Sequence, residues 1–347
     1  MLIPSIFHRF HSIRQPLEKL SELQQSALER FQEKLANGVY AFEPAQCICG
    51  GRDGIIIASR DRYALTVQTY LCKKCATMWT NPRMTSDSLS KFYEEDYRPI
   101  YVGYAQAPDV FFEDQVHHGQ VILKFIKPHI LNQDYTVFDV GCGAGGVLLP
   151  FVDAGWHGFG CDLGQEYLER GRSAKLTLEH GEADLLAPYG PANLIILSHV
   201  LEHLPDPLLS IQHLSTLLKK DGFIYIELPG IFNIHRAYKD TMLFLQNAHL
   251  YHFTLTTLTL LMARVGFKLI KGDQFIHALF QRTNQAISVI ETSQQYREII
   301  IYLQIIEILR ASRLLYLQDV MLKSASYSAR SIFGDHAVDK LMGRDSL

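Results

Sequence analysis

Hydrophobic positions change rhythm near residue 135. Downstream, short runs that are apolar at nearly every position (137–140, 194–197 and 223–226) alternate with segments whose apolar residues recur at helical spacing. A strand buried on both faces needs no polar side, so these runs predict an α/β fold, a parallel sheet wound with helices on both faces. Upstream, Leu17, Leu20, Leu23, Leu28, Phe31 and Leu35 fall at near-helical spacing between residues 13 and 37, and Gly38 is the expected stop. Residues 66–71 alternate like a strand. Residues 86–134 read as helical and rich in aromatics, a cap over the sheet domain. All thirteen prolines lie at or before Pro229. With none to interrupt it, the stretch 296–322, bearing Ile299, Ile300, Leu303, Ile306, Leu309 and Leu317, predicts a long helix or helix pair. Its apolar stripe is expected to pack against the rest of the chain, and the terminal helices are the candidates for homo-oligomer contacts. The expected order is a helical segment (1–40), a small β module (41–85), a helical cap (86–134), the sheet domain (135–285) and a C-terminal helical extension (286–347).

Chemistry enters at 137–146, Val-Phe-Asp-Val-Gly-Cys-Gly-Ala-Gly-Gly, where a buried strand runs into a glycine turn of the kind that binds nucleosides. Asp162 follows the next apolar run, 156–161, and so should end the neighbouring parallel strand, where its carboxylate accepts both ribose hydroxyls. Gly141, Gly143 and Gly146 also satisfy the dinucleotide pattern G-x-G-x-x-G with Asp162 about 20 positions on, so a nicotinamide cofactor competes. Asp139 favours a different ligand: a carboxylate beside the turn opposes a pyrophosphate but holds a cation. S-adenosylmethionine carries an ammonium and a sulfonium and has no phosphate.

Asp139, Gly141, Gly143 and Gly145 match acidic-x-Gly-x-Gly-x-Gly, and here the sequence resembles the class I S-adenosylmethionine-dependent methyltransferases. The likeness continues in order through 193–207 with its run His-Val-Leu-Glu-His-Leu, through 217–227, and through 249–254 and 263–267, which resemble the family's His-x-x-x-Phe-Thr and Gly-Phe signatures. It spans roughly 135–285. It implies a Rossmann-like, doubly wound, mostly parallel seven-stranded sheet and S-adenosylmethionine as cofactor. It further implies cofactor contacts from Asp139, Gly141, Cys142, Gly143, Gly145, Asp162, Leu163, Ser198 and His199. The acidic contact on the adenine side stays open between Glu182 and Asp184, and Asn193 stands where the family usually has Asp.

Of the 347 residues, 48% are hydrophobic, enough for a sizeable core, and a net charge of −3 with no long basic run argues against nucleic-acid partners. No run of about 18 apolar residues or unbroken apolar leader is present, so no transmembrane segment is expected and the chain reads as cytoplasmic, with reduced cysteines. A pattern among the cysteines then suggests metal before disulfide. Cys47 and Cys49 are separated by 22 residues from Cys72, with Cys75 beyond it. Two short loops that each turn two thiolates to one side close a tetrahedral, structural Zn²⁺ site, a small zinc-ribbon-like module. Residues 77–83 (Thr-Met-Trp-Thr-Asn-Pro-Arg) and 91–97 (Lys-Phe-Tyr-Glu-Glu-Asp-Tyr) resemble the opening of methyltransferases with an N-terminal zinc-binding segment, many of which act on sugars. That likeness alone implies a saccharide or nucleotide-sugar acceptor; otherwise the acceptor is a small molecule. Cys142 and Cys161 fit as small buried residues.

His199-Val-Leu-Glu202-His203 also spells H-x-x-E-H, a zinc-peptidase signature. Context opposes a peptidase, since that motif needs a long helix, and here an apolar strand ends at Ser198 while Pro205 and Pro207 close the segment. Methylating a hydroxyl oxygen requires a base within about 3 Å. His203 is the first candidate, followed by His249, Tyr251 and His252, with His117 and His118 of the cap behind them. Two alternatives stand beside methyl transfer: a zinc-ribbon interaction protein whose cofactor domain does not turn over, and an NAD-dependent oxidoreductase.

Overall fold

The computed structural model describes residues 7–103, 106–130, 135–283 and 293–312. Near the N-terminus the helix predicted over 13–37 spans only Glu22–Ala36, because Ser21 caps it: its hydroxyl accepts from Gln24 N, and the Gln24 side chain accepts in return from Ser21 N. Leu17 precedes the helix and is half-exposed. Five short strands follow, β1 (Phe42–Glu43), β2 (Gly54–Arg60), β3 (Thr66–Cys72), β4 (Met78–Thr80) and β5 (Arg83–Met84). Val67, Thr69 and Leu71 of β3 are buried and the residues between them are more open, as the alternation predicts.

The larger sheet uses β6 (Thr136–Val140), β7 (His157–Asp162), β8 (Thr177–His180), β9 (Ala192–Ser198) and β10 (Leu218–Glu227). After β11 (Tyr251–His252), it is completed by β12 (Phe267–Gly272) and β13 (His277–Arg282). Its order is β12-β13-β10-β9-β6-β7-β8. The five strands β6 to β10 run parallel, and only β13 opposes its neighbours. The unbroken apolar runs serve two cores. Val137, Leu194 and Ile196 face one side with Phe112 and Ile122 of the helix Asp109–Ile126, while Phe138, Ile195 and Leu197 face the other with Ile211 and Leu258.

The two sheets are not separate bodies. β11 leaves the larger domain to pair with β4, Tyr251 opposite Trp79 and His252 opposite Met78, so the small sheet has the order β11-β4-β3-β2. One core runs from Phe31, Trp79 and Phe92 to Ile195, Leu201 and Ile226. The C-terminal helix Ser293–Ala311 contributes Ile299, Leu303 and Ile306 to a core shared with Phe10, Ile57 and Met78, and lies against residues 231–233 and 241–244. Arg9 ties it down through Glu307 at 2.9 Å. Leu317 and the remainder of the predicted C-terminal extension lie outside the described residues. Among the described residues, no helix is long and apolar enough to cross a membrane.

Candidate functional site

The first half of the site lies where β6 and β7 end. Gly141, Gly143 and Gly145 hold φ of 75°, 58° and 78°, a left-handed geometry that only glycine adopts without strain, which lets the chain turn back beneath β7. Gly141 N and Cys142 N both donate to the Cys161 carbonyl, at 2.8 and 3.0 Å. Asp162 organises the turn, accepting from Gly143 N at 2.8 Å and Gly164 N at 2.7 Å. It also pairs with Arg98, a partner not foreseen in the sequence, which lies 3.8 Å over the Tyr167 ring. Gln115 bridges the turn, donating to the Cys142 carbonyl at 3.1 Å and accepting from Gly146 N at 3.2 Å.

Asp139 is buried in β6, and its Oδ2 finds no hydrogen-bond partner among the described residues. Burial, reinforced by Asp162, pushes its carboxyl up to about 7. An orphaned carboxylate oxygen beside a nucleoside turn fits a cationic ligand and not a phosphate. Of the two adenine-side candidates, Asp184 is exposed and held 2.6 Å from His213, while Glu182 is exposed at the exit of β8. Leu163 is exposed just past Asp162, its carbonyl 3.1 Å from His180 Nε2. Asn193 lies at the opposite end of the sheet, where its Oδ1 accepts from Thr136 N and Lys219 Nζ. Its departure from the family pattern therefore concerns strand joining and not the cofactor turn.

The second half surrounds the ends of β9 and β10. Glu227 ends β10 with both oxygens engaged: His118 Nε2 lies 2.8 Å from Oε2 and Tyr225 Oη 3.0 Å, and His277 Nε2 lies 3.6 Å from Oε1. Burial alone would raise its carboxyl, but His118 and His277 outweigh it and hold Glu227 well below the ordinary range. His277, between Asp273 at 2.9 Å and Glu227, is pushed up to about 10 against the effect of burial, and so is charged at neutral pH. His199 is exposed at the tip of β9 with φ 56°, 3.8 Å from Glu227 and 3.5 Å from Glu202. The two carboxylates raise it. Ser198 Oγ reaches His118 at 3.5 Å.

The leading catalytic candidates lie deeper than their motif suggested. His203 is not at the pocket mouth but buried against Tyr93 and Tyr97, at the end of a single 3₁₀ turn over residues 201–203. His249 stacks edge-on to it with ring centroids 4.8 Å apart. Burial holds both imidazoles below their usual range. Tyr251 and His252 are drawn away by β11. Tyr251 Oη donates to the Pro205 carbonyl at 3.1 Å, and His252 is buried beside Phe244. His118 and His277 take the partly open positions at the sheet edge, on either side of the buried Glu227, which no motif marked.

In the small module the four cysteines do converge. Cys47 and Cys75 sulfurs are 3.3 Å apart, Cys49 and Cys72 sulfurs 3.7 Å, and all four lie within 4.8 Å of one another. Tetrahedral zinc with Zn–S of about 2.3 Å places its sulfurs roughly 3.8 Å apart. Gly50, at φ 75°, closes the first loop by donating to the Cys47 carbonyl at 2.7 Å, and Ala76 N closes the second on the Cys72 carbonyl at 3.0 Å.

The glycine turn bracketed by carboxylates, on a sheet with one reversed strand, is the arrangement that the sequence's resemblance to class I S-adenosylmethionine-dependent methyltransferases leads one to expect. Comparison with known proteins agrees: residues 115–271 match the family described as "Methyltransferase domain". Among curated relatives, the chain is 31% identical over 122 residues to ubiquinone biosynthesis O-methyltransferase of Colwellia psychrerythraea, covering 30% of this chain and 50% of that protein. It is 31% identical over 118 residues to trans-aconitate 2-methyltransferase of Azoarcus sp., covering 32% and 46%. The chain thus spans about half the length of these relatives. The solved structure of magnesium protoporphyrin IX methyltransferase from Synechocystis, with bound S-adenosylhomocysteine, is 16% identical and covers 57% of this chain and 100% of that one, with a TM-score of 0.42.

Proposed function

We propose that this chain transfers the methyl group of S-adenosylmethionine to a small-molecule acceptor through a protic oxygen, with the zinc module as a structural support. The observation that carries the reading is the pair of carboxylates at the glycine turn: Asp162 for the ribose, and Asp139 with a buried, unpartnered oxygen for the cationic amino-acid end. The cofactor supplies an already activated methyl group, which leaves the protein to align the acceptor and remove its proton. The ribose hydroxyls share Asp162 with Arg98 or displace it.

His118 is the better placed base. Glu227 accepts from its Nε2, which leaves Nδ1 with the free lone pair, and the ring is partly exposed at the sheet edge. His277 is charged and accepts no proton. His203 points inward, and Tyr251 and His252 belong to the small sheet; these give up the base role. Oxygen is chosen as the acceptor atom because the relatives include O-methyltransferases; a saccharide has no counterpart among their names. The cysteine spacing supports one Zn²⁺ held by Cys47, Cys49, Cys72 and Cys75.

Calorimetry tests the cofactor half. S-adenosylhomocysteine should bind and NADH should not, and Asp162→Ala should weaken the former by about 1.5–3 kcal/mol, the scale of a charge-assisted hydrogen bond to a buried partner. Tighter binding of NADH, or an unchanged affinity in the variant, sinks the assignment. A screen of hydroxyl-bearing acceptors with labelled cofactor tests the transfer half.

A further inference from the structure

We infer a second metal site, for a divalent first-row ion such as Mn²⁺, Co²⁺ or Zn²⁺, formed by Glu202, His203 and His249 behind the acceptor edge. Glu202 is 1% exposed, yet neither carboxylate oxygen has a hydrogen-bond partner among the described residues. A buried charge in that condition costs several kcal/mol unless something compensates it. What faces it is ligand chemistry. His203 Nε2 and His249 Nε2 each lie 3.9 Å from Glu202 Oε1, and the three donor atoms fall within 4.8 Å of one another. An ion bound at about 2.0–2.2 Å holds neighbouring donors roughly 3 to 3.5 Å apart, so closing the site draws the donors together by roughly 0.5 to 1.5 Å, a movement that side-chain rotation supplies.

The surroundings orient these groups as a metal site requires. His203 Nδ1 lies 2.9 Å from both the Ala248 carbonyl and the Tyr93 hydroxyl; with that hydroxyl donating to the Ala248 carbonyl at 3.3 Å, both oxygens accept from Nδ1–H and Nε2 is left with its lone pair on the side of Glu202. Leu250 N donates to the Glu202 carbonyl at 2.8 Å, which fastens the two ligand-bearing segments together. The Gln246 side chain lies against His249 and must turn aside to free Nε2. One carboxylate with two imidazoles suits borderline first-row ions, not Ca²⁺ or a thiolate-seeking ion. His199, 3.5 Å from Glu202 and 3.8 Å from Glu227, separates this cluster from the open edge. Three protein donors leave further coordination positions for oxygen ligands, water or an acceptor hydroxyl; that an acceptor supplies one rests on the methyltransferase reading.

Mn²⁺ is the discriminating probe, because the cysteine site disfavours it. Full-length protein, stripped with a mild chelator and re-supplied with one equivalent of Zn²⁺, should bind about one Mn²⁺, seen as loss of the free-ion paramagnetic resonance signal. Glu202→Gln and His249→Ala should each abolish that binding, with S-adenosylhomocysteine affinity and near-ultraviolet circular dichroism retained as proof of folding. No Mn²⁺ or Co²⁺ uptake beyond the cysteine equivalent, or uptake unchanged in Glu202→Gln, overturns the inference. Protein that binds S-adenosylhomocysteine but no second ion overturns this site alone; protein that binds neither overturns the methyltransferase reading as well.

Discussion

Glu227 ends β10 and Glu202 lies just past the end of neighbouring β9, both buried, in opposite surroundings. Glu227 has His118, His277 and Tyr225 on its two oxygens and is held ionised by them. Glu202 has histidines only at 3.5–3.9 Å and no hydrogen bond. A carboxylate satisfied by its own protein is a working part, fixed in orientation before any ligand arrives. One left unsatisfied at the same depth is a receptor for a cation. Asp139, with its orphaned Oδ2, and the four thiols fall on the receptor side with Glu202.

The comparison breaks most visibly at the thiols. Cys72→Ser with Cys75→Ser should remove about one Zn²⁺ per chain and melt the small sheet, since zinc binding contributes on the order of 10 kcal/mol to such modules. Elemental analysis and thermal melting check this, and zinc-free protein of full stability would overturn it. β11 joins that sheet to the chain beside His249, so turnover should fall with it.

The satisfied carboxylate comes next. Glu227→Gln and His118→Ala should each lower turnover by roughly 10²- to 10⁴-fold with S-adenosylhomocysteine affinity nearly unchanged, because the roles proposed for them are to align and deprotonate the acceptor, away from the nucleoside turn. Parallel loss of cofactor binding would show instead that they shape the pocket.

Asp139 sharpens the contrast through pH. Its carboxyl is pushed up to about 7 in the folded chain, so the fold disfavours the ionised form. A group raised in this way leaves stability intact below its unfolded value near 4, then removes it progressively as pH rises to about 7. Asp139→Asn should abolish that slope and stabilise the ligand-free protein at pH 8 by up to about 4 kcal/mol, while weakening cofactor binding. His277 slopes in a separate window. Raised to about 10, it contributes fully below its unfolded value near 6.5, and that contribution is lost as pH climbs toward 10. Denaturant midpoints measured from pH 4 to 10 separate the two; a flat profile for the parent protein would remove both assignments.

Much of the cofactor half was legible before folding, because strand, turn and the next strand tip are local in sequence. The glycines at 141, 143 and 145 and the carboxylates at 139 and 162 need only one parallel pairing to meet, and β6 and β7 supply it. The acceptor half was not legible in this way. The motif around His203 lies beside a strand end and points to the pocket, but the turn at 201–203 leaves the imidazole buried.

By itself, the sequence determined the elements and their chemistry: apolar runs that permit only a doubly covered sheet, a turn that only glycines can make, and cysteine pairs on short loops. All of these are set by forces acting within a few residues. Tertiary structure decided which distant groups share a carboxylate. His118, Glu227 and His277 come from a helix and two strands and meet only because β13 inserts beside β10. Glu202 and His249 meet because β11 crosses to the small sheet and carries the preceding loop over the turn after β9. No local spacing encodes such a meeting, since it depends on burying the apolar faces of both sheets at once.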